Sequence, residues 1–148
     1  MINIAKQYLH IGLVGKLELI KYYNLNCLKL VKPSRRYEMG LGDNWCALFT
    51  SVVAHKAGLS PQKFPYEVSV REQVVIAKDY GMFFNVGLAS VGDLIVYDWR
   101  VNGNFNHVGI ITEIKIDKLT VLEGNYKGTV DFRTISTDSK YIGGIIKL

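Results

Sequence analysis

The sequence predicts an α+β fold, with N-terminal helices packed on an antiparallel β-sheet built from the later part of the chain. Three observations carry this. Apolar residues recur at helical spacing in the first half. From Gly92 onward the apolar period shortens to two, the period of a strand. Helical segments come first and strands after, which is the order of an α+β domain and not of alternating βα units. The chain has 148 residues, 49% of them hydrophobic. With a mean hydropathy of +0.12, that composition supports a core and one domain, expected over residues 1–148.

Ile4, Tyr8 and Ile11 fall on one helical face, and Leu13, Leu17 and Ile20 extend the stripe. Gly12 and Gly15 argue against one unbroken helix. Residues 31–42 hold Pro33, Ser34, Gly40 and Gly42 and read as a loop. A helix is expected from Trp45 to Lys56, closed by Gly58, with Asp43 or Asn44 capping its start. Pro61 and Pro65 break the chain again, and Ser69 to Asp79 reads as a second long helix followed by Gly81. Strands are expected at Asp93–Trp99, His107–Ile116, Thr120–Glu123, Thr129–Ile135 and Tyr141–Ile146. In the second of these, Val108, Ile110, Thr112, Ile114 and Ile116 share one face, and His107, Gly109 and Ile111 the other.

The formal charge is +5. This mild basic balance favours anionic surfaces without selecting one. No nucleic-acid recognition motif accompanies it, so no nucleic-acid role is expected. The apolar stretch Ile11–Ile20 contains Lys16 and Glu18 and falls well short of the ~20 residues of a membrane span, so stable membrane insertion is not expected. Lys6, Gln7 and His10 stand where a signal peptide needs an apolar run, so synthesis in the cytoplasm is expected. The two cysteines, Cys27 and Cys46, make no disulfide framework. Cys27 reads as a packing residue.

Cys46 is the candidate nucleophile. It falls in the first turn of its predicted helix, where free N–H groups stabilise a thiolate and can hold an oxyanion. A buried free cysteine is also a common packing residue, so the helix start alone does not decide. His107 adds a base. It opens a strand after the Gly- and Asn-rich segment 102–106, and Gly109 on its face leaves room for another group. His10 and His55 lack such surroundings, and His55 lies nine residues along the helix from Cys46, roughly 13 Å away. A base needs an acceptor that fixes its tautomer, and Glu123 and Asn125 are the candidates. A tight turn at Asp117-Lys118 would set Glu123 opposite Thr112, roughly 17 Å from His107 at ~3.4 Å per residue. Contact with Glu123 then requires a wider loop or a bulge near Lys115. Otherwise Asn125 or an upstream acid orients the histidine. Trp45, Asp43 and Trp99 are candidate substrate-binding residues by position, with core packing equally open for the two tryptophans.

The set Trp45-Cys46, Gly92 to Tyr97, His107 to Ile110 and Glu123 to Asn125, in this order, resembles the CHAP domain, the cysteine- and histidine-dependent amidohydrolase/peptidase module. The resemblance implies a papain-like fold and cleavage of an amide bond in bacterial peptidoglycan, as amidase or endopeptidase. It implies Cys46 as nucleophile, His107 as general base, Glu123 as orienter and Asn125 as a supporting polar group. Many relatives are phage endolysins or virion-associated wall enzymes, so release through a membrane lesion or carriage on a virion is expected. Some relatives bind calcium before the cysteine. Here Arg35 to Asn44 offers only Glu38 and Asp43 as acids, too few for a hard-cation cage. No metal and no cofactor are expected, and the single unit is expected to be a monomer. The competing readings are a wall-binding or phage structural module without turnover, and a cytosolic thiol amidase with another substrate.

Overall fold

Helix α3 (Cys46–Lys56) sits at the centre of the molecule, and its residues Cys46 to Ala54 are all buried. A helix apolar all round has to be enclosed on every side. In the computed structural model, which describes all 148 residues, two layers enclose it. On one side lie α1 (Ile2–Lys6), α2 (Leu13–Tyr22) and α4 (Val70–Asp79), and on the other a six-stranded sheet. The strands are β1 (Phe83–Phe84), β2 (Leu94–Tyr97), β3 (His107–Ile114), β4 (Lys118–Tyr126), β5 (Thr129–Ser136) and β6 (Ile142–Ile146). They run in the order β1-β6-β2-β3-β4-β5, with every neighbouring pair antiparallel. The α+β class, with helices leading and an antiparallel sheet following, is therefore the architecture found.

The two polar side chains inside α3 are satisfied locally. Thr50 Oγ1 donates to the Ala47 carbonyl, and Ser51 Oγ donates to the Glu67 carbonyl at 3.0 Å. The helix closes as expected: Gly58 has φ +78, its N–H donates to His55, and Leu59 N–H donates to Ala54. Gly81 closes α4 in the same manner, at φ +66. The start of α3 differs from expectation. Trp45 occupies the capping position, and no side chain, neither Asp43 nor Asn44, bonds the first amides. The break between α1 and α2 falls at His10 (φ 62) and Gly12, while Gly15 lies inside α2. Beyond Tyr22 the chain makes one wide helical turn, Tyr23–Cys27, and one tight turn, Leu28–Leu30, which no periodicity signals. Cys27 is free and buried there, its thiol pushed up to about 12 by burial.

The β3–β4 register is the part of the fold on which the site depends. The turn sits at Ile116-Asp117, one residue earlier than expected, closed by Lys115 N–H donating to the Lys118 carbonyl at 2.8 Å. A bulge between Ile111 and Glu113 then shifts the pairing, giving Ile111 opposite Val121 and Ile110 opposite Leu122. The expected face of Val108 through Ile116 therefore ends at the bulge, and Ile116 stands fully exposed in the turn. One step further along, Gly109 faces Glu123. A Cβ built on Gly109 would lie 2.5 Å from Val121 Cγ1 and 2.7 Å from Glu123 Cγ. Gly109→Ala should therefore destabilise the domain by about 1–3 kcal/mol through overpacking. Urea unfolding measures this, and an unchanged midpoint would show that the neighbours yield freely.

Candidate active site

Glu123 reaches His107 on the diagonal, not from directly across. His107 and Gly109 share a face of β3, and Glu123, opposite Gly109, sends its carboxylate over the space that Gly109 leaves. Diagonal neighbours stand ~7–8 Å apart at the backbone, within range of a long side chain. The result is a 2.9 Å hydrogen bond from His107 Nε2 to Glu123 Oε2. With Nε2 engaged, Nδ1 is the ring nitrogen left for sulfur, and the Cys46 side chain does act on the imidazole. Burial alone would lower the imidazole, but Cys46 beside it and the hydrogen-bonded Glu123 carboxylate outweigh that. They raise His107 from the ordinary 6.5 to about 9.

Glu123 is wholly buried. Burial by itself would raise its pKa, yet the hydrogen bonds from His107 and from Arg133 hold the carboxyl below its ordinary range. Arg133 Nε donates to Oε1 at 2.8 Å and to Oε2 at 3.0 Å. Tyr97 lies behind this pair, its ring stacked on His107 at 5.6 Å and on Trp99 at 4.5 Å. Its buried hydroxyl makes no hydrogen bond of ordinary geometry, and burial first, then the Glu123 charge, drive its pKa up.

Local structure delivers each group. The loop between β2 and β3 is tied by Asp98, which accepts from Gly103 N–H, and by Asn106 N–H, which donates to the Tyr97 carbonyl at 3.0 Å. That loop presents His107 as the first residue of β3. Glu123 precedes a bulge in β4, where Glu123 pairs with Asp131 and Tyr126 with Thr129. Asn125 sits in the bulge at φ 61, a left-handed conformation that asparagine tolerates. Gly124 there lies so close to Phe49 of α3 that a Cβ would collide with that ring.

The structure thus brings Cys46, His107 and Glu123 together and places the other expected residues differently. Asn125 does not touch His107; its Nδ2 donates to Asn44 Oδ1 at 3.3 Å, across to the loop that leads into α3. Trp45, expected along a substrate groove, is buried in the main core. An enclosed helix start turns its preceding ring inward. Asp43 is occupied with its own loop, accepting from Gly40 N–H at 2.8 Å and from the Tyr37 hydroxyl. Trp99 is the one expected aromatic that stands at the site, half-buried and 6.3 Å from the His107 ring. Arg133 was not anticipated. The signal for it was a lone basic residue on the strand after Glu123, too common a pattern to single out.

The family model for the CHAP domain matches residues 21–125, a span that contains Cys46, His107 and Glu123. A search of curated proteins finds no match. Among solved structures, the chain is similar to a protein from Staphylococcus aureus subsp. aureus Mu50 described as similar to a lipoprotein of the NLP/P60 family. The identity is 17% and the TM-score 0.42, over 88% of this chain and 41% of that one. The chain therefore spans less than half the length of that protein.

The charges set the pH dependence of stability. A raised histidine contributes stability that is fully present below its unfolded value and is lost as pH climbs through the folded one, here from 6.5 to about 9. The lowered Glu123 contributes above the ordinary carboxylate value and loses that contribution as pH falls through its folded one. Wild-type unfolding free energy should therefore decline between neutral pH and pH about 9, and His107→Asn should flatten that decline. Equal alkaline slopes in urea titrations of the two proteins would contradict the assignment.

Proposed function

Because the chain belongs to the CHAP domain family of cysteine- and histidine-dependent amidohydrolases and peptidases, we propose that it is a peptidoglycan hydrolase that cleaves an amide bond through Cys46. The observation that supports this best is the 2.9 Å hydrogen bond from His107 to the buried Glu123 carboxylate, with the Cys46 thiol at an uncapped helix start acting on the same imidazole. A packing cysteine needs none of these.

The chemistry follows from the placement. The Cys46 thiolate attacks the amide carbonyl carbon, and the carbonyl π electrons move onto oxygen. The free N–H groups at the start of α3 steady that oxyanion. As the tetrahedral intermediate collapses, the C–N bond breaks and imidazolium gives its proton to the departing amine, leaving a thioester on Cys46. Neutral His107 then takes a proton from water as its oxygen attacks the thioester. Collapse releases a carboxylic acid and returns the thiolate beside imidazolium. Glu123 stays ionised throughout and holds the ring by Nε2.

The wall as substrate rests on the family and on two features of the surface. The net charge of +5 favours anionic wall polymers. Trp99 stands half-buried beside the His107 ring, and an aromatic side chain there suits a sugar or peptide face. A phage lytic or virion-borne setting, with the chain acting as a monomer, completes the proposal.

Purified protein on isolated cell walls should lower turbidity and release new amines, and mass spectrometry of the fragments would name the bond. Cys46→Ala should abolish release with thermal unfolding nearly unchanged. Walls that are bound but left intact by the wild type would instead favour a non-catalytic binding module. In a second test, Glu123→Gln removes the charge that favours imidazolium. The alkaline limb of kcat/KM should then move down from about 9 by roughly one pH unit or more. An alkaline limb that stays in place would separate Glu123 from the titration of His107.

A further inference from the structure

Arg133 lies on β5 opposite Val121 and so shares a sheet face with Glu123 and His107. Its guanidinium carbon is 4.3 Å from the Tyr126 ring centroid and 4.7 Å from that of Trp99. Aromatic neighbours of this kind fix the plane of the fork and favour its charge. Nε is directed at Glu123 and contacts both carboxylate oxygens, and Oε2, the oxygen bonded to His107, receives both donors. We propose that Arg133 is a positioning residue for the catalytic pair: it fixes the Glu123 carboxylate on His107 Nε2 and keeps it ionised. This rests on the reading of Cys46 and His107 as the reacting groups, and it adds a residue on a strand beyond the span matched by the family model.

A buried carboxylate bonded only to a histidine has one other course open to it. It can take a proton, and the ring then loses its anionic acceptor. The guanidinium blocks that course. The groups that face Glu123 are His107 from β3, Tyr97 from β2, Arg133 from β5, and its direct register partner Asp131. Arg133 is the only permanent cation among them; Asp131 is an acid, and Tyr97 favours the ionised carboxyl without bringing a charge. Lysine would bring a charge without a rigid fork, so charge and geometry can be tested apart.

Two variants and two readouts decide. In Arg133→Met, the low-pH inflection of the His107 imidazole resonance, which reports protonation of the carboxylate bonded to it, should move up by about one pH unit or more. The chain has only three histidines, so comparison with His107→Asn assigns the signal. On wall substrate, kcat should fall between about tenfold and a hundredfold with KM little changed. Arg133→Lys should return the inflection to low pH and recover kcat only in part. A folded Arg133→Met protein with the inflection and kcat of the wild type would overturn the proposal. If that variant fails to fold, Arg133→Lys decides: lowered kcat at wild-type KM supports the role, and wild-type kcat overturns it. Should the wild type cleave no wall, the reading of the site falls, while the resonance still tests the hold of Arg133 on Glu123.

Discussion

The carboxylate of Glu123 has no exposure to solvent, yet it stays ionised. An isolated buried charge of that kind would cost several kcal/mol, and proteins keep one only where it is paired and hydrogen-bonded. Here an imidazole closes one side and a guanidinium the other. Three strands have to hold their register for those partners to meet, so the charge constrains the middle of the sheet. It also acts at a distance, because its charge favours the protonated ring of His107. Folding and chemistry meet in this one group.

Two glycines make the arrangement possible, and both act through what they lack. Gly109 leaves the space that the Glu123 side chain crosses on its way to His107. Gly124 lets β4 approach Phe49, drawing the sheet against the first turn of α3. The bulge that follows places Asn125 beside Asn44, so strand and nucleophile loop are bound to each other. Small residues in a strand weaken it in general. These positions accept that weakness because a Cβ would collide with Val121 and Glu123 at Gly109 and with Phe49 at Gly124.

Much of this was legible in the sequence. The lengths of α3 and α4 followed from apolar spacing and from Gly58 and Gly81 as stops, and the strands from their period. Cys46 and His107 were picked out by residue type and position, while Glu123 stood beside Asn125 as a candidate acceptor. The register was harder to read. Contact was assumed to need direct opposition, whereas a long side chain reaching over a glycine makes the diagonal sufficient, and a turn shifted by one residue with one bulge supplies the rest. Trp45 stood open between groove and core, because local pattern says nothing about a helix enclosed on every side. The turns from Tyr23 to Leu30 left no signal, since their geometry is set by packing and not by period. Arg133 belongs to the same class of omission: its meaning comes from a neighbouring strand, and no motif marks it.

The choice of acid explains why the extra cation belongs there. A neutral amide on Nε2 would fix the ring tautomer but add no charge to hold a proton. An ionised glutamate does both, and His107 rises to about 9. General acid catalysis works best when the proton is present at working pH yet given up readily in the transition state. A buried glutamate alone pulls toward one extreme, since it either captures the proton itself or binds imidazolium too firmly. A cation on both carboxylate oxygens closes the first of these courses, because the Arg133 hydrogen bonds disfavour protonation of Glu123. The carboxylate is thereby kept ionised and remains the anionic acceptor on His107 Nε2.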